Sequence, residues 1–555
     1  MHNKEIADHF SLLAKLMELH GENPFKTKSC SIAAYNIENL PGRAAEMSEQ
    51  ELFGMKGIGD STGKKILELL NTGKLDALEK MLAITPPGVL EMMSVKGLGP
   101  KKIAVIWKEL GLESIGELEY ACLENRLATL KGFGAKTQQA VLDQLEFRKA
   151  SQGLHLYAGV EGLAFQLIDK LRSALPAYQW AFTGAFRRQS EVMAQIDLLT
   201  TSTIEELVKL FEAVPDTVIE EDPNQHITVR IPQHPMLRFH LCEPATFAGT
   251  LFLTTGSEEF ISGFPSPLKA LQDYATEEQV FQDAGLPFVP APLRESTDVL
   301  TRTIPGKLLS DSDIRGIIHS HSTWSDGRDS IGDMAMAAAE QGYEYLVITD
   351  HSRTAAYARG LTAERVFQQH EEIDLLNQRL SEFRIFKGIE SDILGDGSLD
   401  YEEEVLRKFD LVIASVHSGF KMSEEKATGR LIRAIENPYT TILGHPTGRL
   451  LLSRNGYPID HRKVIDACAA NRVVIEINAN PRRLDLDWRW IPYALDKGVI
   501  LSVNPDAHSI AGFRDIHFGV LAAQKGALTA DRNLSSFSRV QLEQFLSTRR
   551  RLTAV

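Results

Sequence analysis

Cysteine is scarce in this 555-residue chain: there are four, Cys30, Cys122, Cys242 and Cys468, and no two form a CxxC pair. That excludes a disulfide framework and a thiolate metal site, and it fits a reducing compartment. No apolar run approaches the roughly 18 residues that span a bilayer, so no membrane partner is expected. The opening stretch MHNKEIADHF is polar and acidic, unlike a secretory leader, and a cytoplasmic location is expected. Excess positive charge is missing too. The net charge of −14 disfavours broad affinity for nucleic acid, because phosphate binding is largely the work of Lys and Arg. Any contact with DNA has to come from local patches or backbone donors. The remaining composition is that of an ordinary globular protein, and the length implies about three to five domains.

Residues 1–150 read as short helices broken by glycine, and one pattern recurs three times. Met55-Lys56-Gly57-Ile58-Gly59 precedes Lys64, Lys65 and Ile66; Val95-Lys96-Gly97-Leu98-Gly99 precedes Lys101, Lys102 and Ile103; Leu130-Lys131-Gly132-Phe133-Gly134 precedes Lys136. Each is a turn that opens a lysine-bearing helix. Paired glycines let a ligand approach the backbone, and the helix start offers free N–H groups and a positive dipole end to an anion. Such helix-hairpin-helix units hold a DNA phosphate backbone without reading its sequence. With 19 Lys and Arg against 20 Asp and Glu, the region is not basic overall, so contact is expected at the hairpin tips and weakly.

From about 153 to 300 the texture changes to strand-like runs with two amphipathic helices. Val218–Ile231 and Met236–Leu241 read as paired strands with Gln233-His234-Pro235 as the turn. The proline-rich stretch Gly285–Arg294 reads as an extended arm on the surface, leading to a linker that ends near Asp313.

From Ile314 a strand-then-helix unit repeats seven times, with apolar runs at 314–318, 343–349, 384–389, 410–416, 440–443, 472–477 and 498–503. That predicts a parallel sheet closed into a barrel. Every run but the sixth ends in residues able to ligate a metal. Nine are taken as ligands: His319 and His321 of His319-Ser320-His321 with Asp326, His351 of Asp350-His351, Glu390, His417, His445, and Asp506 and His508 of Asp506-Ala507-His508. In a parallel barrel these ends share the C-terminal face, where active sites form. His-x-His on a strand end puts both imidazoles on one side. Imidazole and carboxylate without thiolate suit zinc, manganese or iron rather than calcium. Nine ligands exceed the three or four that one catalytic zinc takes, so two or three ions are implied. Clustered ions supply hydroxide near neutral pH and clamp both oxygens of an in-line displacement at a phosphate ester.

His319-x-His321 with Ser325-Asp326-Gly327, Thr349-Asp350-His351, Gly388-Ile389-Glu390, Ser415-Val416-His417, Gly444-His445-Pro446, Glu476-Ile-Asn-Ala-Asn480 and Asp506-Ala-His508 together resemble the PHP (polymerase and histidinol phosphatase) domain over about 240 residues. The resemblance implies a distorted seven-stranded barrel with a trinuclear site. His319, His321, Glu390 and Asp506 would hold one ion and be the catalytic set. Glu390, His417 and His445 would hold a second ion, and Asp326, His351 and His508 a third. Arg482 and Arg483 are either phosphate ligands or a solvated loop pair.

The N-terminal half resembles the family X DNA polymerases in their bacterial form, which carry a PHP domain at the C-terminus. The matching stretches are Asn23-Pro-Phe-Lys26, the first hairpin, Thr72-Gly-Lys-Leu75, Thr183-Gly-Ala-Phe-Arg-Arg188, Gln195-Ile-Asp197 and Thr254-Thr-Gly-Ser257. The resemblance implies a multidomain α+β and α/β fold. A lyase-like helical domain would span 1–85, finger-like hairpins 86–150, a nucleotidyltransferase palm 151–243, a thumb-like segment 244–300, a linker 301–313 and the (βα)7 PHP barrel 314–555. DNA contact would fall on Gly57, Gly59, Gly97, Gly99, Gly132, Gly134 and Lys65. Lys65 also stands where the lyase branch places its Schiff-base lysine.

The departures concern the palm. Polymerisation needs three carboxylates around two magnesium ions. The family places two as Asp-x-Asp on one strand and the third on the neighbouring strand. Here those positions are Gln195, Asp197 and His240, and the family's phosphate-binding Gly-Ser is Gly184-Ala185. Magnesium would be held weakly, with Arg187 and Arg188 left either as phosphate ligands or in structural salt bridges. The expected function is therefore a DNA-processing 3′ to 5′ exonuclease acting on gapped or single-stranded ends, as a monomer, with little or no polymerase activity. The alternatives are a small-molecule phosphomonoesterase, a still-active repair polymerase and a non-catalytic DNA-binding scaffold.

Overall fold

The computed structural model describes residues 3–38, 40, 44–54, 58–95, 97–150, 153–222, 226–265, 271 and 274–553. The chain divides into two units, 1–145 and 146–555. The first is all helical. Its core is built from Ile6, Phe10, Leu13, Leu16, Ile66, Leu69, Ile103, Ile106 and Leu118 among others, all turned away from solvent. Glycine in extended conformation opens two of its helices: Gly59 before Asp60–Thr72 and Gly99 before Pro100–Leu110.

The second unit begins with a five-stranded mixed sheet. Its strands are β1 (Trp180–Thr183), β2 (Gln195–Thr200), β3 (Val218–Asp222), β4 (His226–Arg230) and β5 (Met236–Leu241), in the order β1-β2-β5-β4-β3. The stretch 218–231, expected as one strand, is a hairpin of two, β3 and β4. It is acidic along β3, which lies at the sheet edge and is largely exposed; charge there suits an unpaired edge. The arm Gly285–Arg294, expected to be packed on the surface, is mostly exposed or half-buried, with Val289, Leu293 and Arg294 turned inward. Arg294 is fully buried against the rings of Phe252, Phe281 and Phe288 and is paired with Glu277 at 2.5 Å. A buried guanidinium is tolerated only with such a partner.

The seven apolar runs become seven parallel strands: β6 (Gly316–Ile317), β7 (Tyr345–Ile348), β8 (Arg384–Asp392), β9 (Leu411–Ser415), β10 (Ile442–Leu443), β11 (Val474–Asn478) and β12 (Leu501–Asn504). Each pairs with its sequence neighbours. The ring closes beyond the strand ends through a parallel bridge between Ser320 and Ala507. Buried on both faces, the strands carry continuous apolar runs rather than alternation. Ile318, Val347, Phe386, Ile413 and Val474 fill the inside of the barrel, together with Leu542 and Leu546 from the terminal helix Arg539–Thr553.

The sheet segment packs on the barrel through the helix Ile516–Lys525. Phe518 and Leu521 lie against the sheet's core, and the buried Lys525 pairs with Glu295 at 2.6 Å. At the helix head His517 sits 2.8 Å from both Asp311 Oδ2 and Glu161 Oε1. Those hydrogen bonds, the one to Asp311 foremost, raise its pKa from 6.5 to about 10. A raised folded-state value contributes stability that is full below the unfolded value and is lost as pH rises through about 10. His517→Gln should therefore lower the melting temperature most at pH 6. The difference should shrink steadily toward pH 10, and the partial exposure of His517 limits it to about 1 kcal/mol. Calorimetry across that range checks it, and a pH-independent difference would contradict the assignment.

Candidate metal centre

Closure of the barrel builds the site. His321 N–H donates to the Ala507 carbonyl at 2.8 Å and Ala507 N–H to the His319 carbonyl at 3.2 Å, so His-x-His lies alongside Asp-x-His. With Ser320 and Ala507 paired, the flanking side chains turn into the mouth. His319 and Asp506 both take left-handed backbone conformations, φ 67° and 53°, which non-glycine residues adopt only under local constraint. Gly327 lets the Asp326 loop close over the site, because a Cβ there would fall 2.1 Å from the His321 carbonyl oxygen.

All nine side chains singled out from the sequence converge here. Asp506 Oδ1 lies 3.3 Å from His319 Nε2 and 3.1 Å from His321 Nε2. Glu390 is the hub: its oxygens lie 3.4 Å from His319, 2.9 Å from His351, 3.1 Å from His417 and 3.0 Å from His445. Asp326 lies 3.6 Å from His351 and 3.4 Å from His508. Within the barrel, three groups have ligand atoms close enough to share an ion: His319, His321 and Asp506; His351, Glu390 and His417; and His321, Asp326, His351 and His508. His351 and His321 thus each stand between two groups.

The donors fit a divalent cation. His319 Nε2, His321 Nδ1, Asp326 Oδ2 and His445 Nδ1 are buried and make no hydrogen bond. Orphaned polar atoms of this kind are costly unless an unseen partner satisfies them. The protonation preferences follow from crowding. Burial opposes charge on His319, but Glu476, Asp506 and Glu390 outweigh it and hold its pKa well above the usual value. His321, buried and facing His508 and His351, is pushed down to about 3. Burial likewise opposes charge on Glu390 and Asp506, yet surrounding imidazoles, His417 for the first and His319 for the second, hold both well below the carboxylate range.

Three further carboxylates serve the site without being among the nine. Glu476 accepts from His319 Nδ1 at 2.6 Å, and Asp392 from His417 Nδ1 at 2.5 Å. Asp350 gathers Ser322 N–H at 2.8 Å, Ser322 Oγ at 2.7 Å and Gln369 Nε2 at 2.6 Å, fixing the start of the loop that carries Asp326. The sixth strand, β11, is therefore not idle: Asn478 donates to both Glu476 and Asp506 at 3.0 Å. Period-two spacing was the available signal, since Asp392 follows Glu390 by two residues and Asn478 follows Glu476 by two. Arg483 is buried with Nε 3.8 Å from Asp506, and Arg482 is half-buried.

In the sheet segment, Gln195 Nε2 donates to Asp197 Oδ1 at 2.8 Å, and His240 Nε2 lies 3.2 Å from the same oxygen. The parallel pairing of β2 with β5 brings them together. Gly184, at φ 58°, passes so close that a Cβ would lie 2.7 Å from Asp197 Oδ2. Arg187 and Arg188 engage Glu277 and Glu295 instead. In the helical unit Gly57 lies outside the described residues. Gly97 and Gly132 are left-handed, at φ 94° and 88°. A Cβ at Gly59, Gly97, Gly99, Gly132 or Gly134 would meet nothing within 4 Å, so internal packing does not require glycine there. Lys65 is half-buried on the helix behind Gly59.

Residues 1–75 match a helix-hairpin-helix domain, 89–146 a SAM-like helix-hairpin-helix tandem and 318–480 a PHP domain, a metal-dependent hydrolase fold. The chain is 34% identical to the DNA polymerase/3′-5′ exonuclease PolX of Bacillus subtilis, over 98% of this chain and 99% of that protein. A probable phosphatase of Thermoanaerobacter is 32% identical over 34% of this chain and 77% of its own length. One of Syntrophotalea carbinolica is 32% identical over 29% and 64%. No helix among the described residues is long and apolar enough to cross a membrane.

A carboxylate behind a ligating imidazole fixes its tautomer and raises its basicity, and its loss typically costs 10- to 100-fold in metal affinity. Glu476→Gln and Asp392→Asn should each weaken manganese binding by about that factor, read as metal content after dialysis and as the metal-induced rise in melting temperature. Unchanged metal retention in both would mean that these pairs only brace the barrel.

Proposed function

The chain belongs to the PolX family, and we propose that its barrel removes nucleotides from DNA 3′ ends while its helical hairpins hold the strand and its palm no longer polymerises. The convergence of nine ligand-type side chains at the barrel mouth, set beside a palm with a single carboxylate, carries this reading. His319, His321, Glu390 and Asp506 would hold one ion, Glu390, His417 and His445 a second, and Asp326, His351 and His508 a third. Manganese, zinc or iron suits these donors. Such ions supply Lewis acidity to the phosphoryl oxygens and lower the pKa of attacking water.

The chain's own residues do the rest. Glu476 and Asp392 hold the His319 and His417 rings by Nδ1, leaving each Nε2 directed at Glu390. Asp350 and Gly327 bring Asp326 over the mouth. Arg483, beside Asp506, is placed to offset charge on a phosphate there. In the palm (151–243), the Asp197 oxygen that would face magnesium is taken by Gln195 and His240. One carboxylate cannot organise two magnesium ions, and the arginines beside Gly184 already neutralise Glu277 and Glu295. The open glycine tips of 1–85 and 86–150 suit close approach of a phosphate backbone. Gapped or single-stranded DNA is the proposed substrate and a monomer the proposed state.

With manganese, 5′-labelled single strands and gapped duplexes should shorten stepwise from the 3′ end. His319→Ala/His321→Ala should lower the rate by more than about a hundredfold, since removing ligands costs more than removing their supports. Release of phosphate from small monoesters without cleavage of any DNA would move the assignment to a phosphatase. Primer extension with magnesium or manganese should give no templated product, and robust extension would overturn the reading of the palm.

A further inference from the structure

Two of the chain's five tryptophans lie two residues apart, in Trp488-Arg489-Trp490, a single helical turn after β11. Around them the structure interleaves rings and cations. His461 stacks on Trp490 at 4.5 Å with 4° between the planes, and Tyr493 meets Trp490 edge-on at 6.5 Å. Arg489 lies over Trp488 at 4.6 Å, and Arg462 and Lys497 lie over Tyr493 at 4.7 and 5.2 Å. All four rings are half-buried, while Arg462, Arg489 and Lys497 are exposed. The acids that face it are Asp460, Asp466, Asp485 and Asp487. Asp466 is paired with Lys497, Asp487 with Arg489 and Arg449, and Asp460 with Lys463, while Arg462 stands at the surface over Tyr493.

The patch has a fixed place relative to the metal centre. His461 opens the helix that follows β10, and Trp488-Arg489-Trp490 precedes the helix that follows β11. Helix starts after parallel strands lie on the C-terminal face of the barrel, the face of the ligand cluster. A short chain of contacts joins the two. Asp487, next to Trp488, holds Arg449 at 2.6 Å; Arg449 grips the Arg483 carbonyl at 2.8 Å; and Arg483 Nε lies 3.8 Å from Asp506.

We propose that Trp488, Arg489, Trp490, His461 and Arg462 form a stacking platform on the barrel rim for unpaired bases of the DNA strand entering the centre. The assignment rests on the nuclease reading above and names the part of the strand that this face holds. Planar rings accept any base by stacking, and the guanidinium groups between them meet the backbone phosphates. Together they bind single strands without regard to sequence. The rings rest partly on the barrel core, and Lys525 lies over Trp488 at 4.9 Å, yet each ring stays half-exposed and the guanidinium groups of Arg462 and Arg489 remain at the surface beside a hydrolytic mouth.

The full-length protein, freed of metal with EDTA, is irradiated with a DNA duplex bearing a 3′ single-stranded tail that contains 5-iodouracil. Crosslinks mapped by mass spectrometry should fall on Trp488 or Trp490. With manganese, Trp490→Ala and the solvent-side variant Arg489→Glu should raise KM for the tailed strand about fivefold or more, the effect of one lost stack, with kcat unchanged. Hydrolysis of bis(p-nitrophenyl) phosphate should stay at the wild-type rate, which also reports that each variant is folded. Crosslinks found only elsewhere, or unaltered KM in both variants, would overturn the platform. Crosslinking at the tryptophans without DNA cleavage would keep the platform and remove the nuclease assignment.

Discussion

The bridge between Ser320 and Ala507 is the constraint on which the site depends. Two strand ends of opposite position in the chain, His319-Ser-His321 and Asp506-Ala-His508, are joined there by backbone hydrogen bonds. The pairing turns four ligand-type side chains into one mouth and forces His319 and Asp506 into left-handed conformations. Residues held so cost on the order of 1–3 kcal/mol each, which the buried packing of the seven strands offsets. A barrel that failed to close would leave the same residues on separate, solvated loops.

Charge in the mouth sets the second constraint. Carboxylates and imidazoles are crowded into a space from which water is excluded, and several of their atoms make no hydrogen bond. Neutralising them by protonation alone serves some members at the expense of others, as the opposite shifts at His319 and His321 illustrate. A divalent cation satisfies all at once, so its binding energy is also folding energy for this end of the barrel.

Much of this was legible in the sequence because the barrel repeats a simple rule: an apolar run buried on both faces, then a ligand at its C-terminal end. The seven runs and the nine ligand-type side chains follow from that rule. What was not legible lay outside it. Glu476 and Asp392 act on imidazoles from distant strands, and only β pairing shows which ring each one reaches. The hairpin within 218–231, by contrast, carries its own turn signal, Asp222-Pro223-Asn224, which a one-strand reading passes over. The proline-rich arm Gly285–Arg294 reads as packed on the surface, and nothing local shows that Glu277 and three phenylalanine rings receive the arginine at its end.

The five-stranded sheet shows how a buried polar group can be satisfied from within. Gln195 and His240 both meet Asp197 Oδ1, so that carboxylate is held by an amide and an imidazole. Arg187 and Arg188 tie the turn after β1 to Glu277 and Glu295, and Glu295 in turn holds Lys525 from the barrel. Each of these ion pairs is at least partly buried, and removing one partner would strand the other charge in a dry interface. The two arginines are thereby committed to holding the sheet against the barrel. The five-stranded sheet is also the wall against which the helix Ile516–Lys525 is packed, and that helix backs the strands β11 and β12 that carry Glu476 and lead to Asp506.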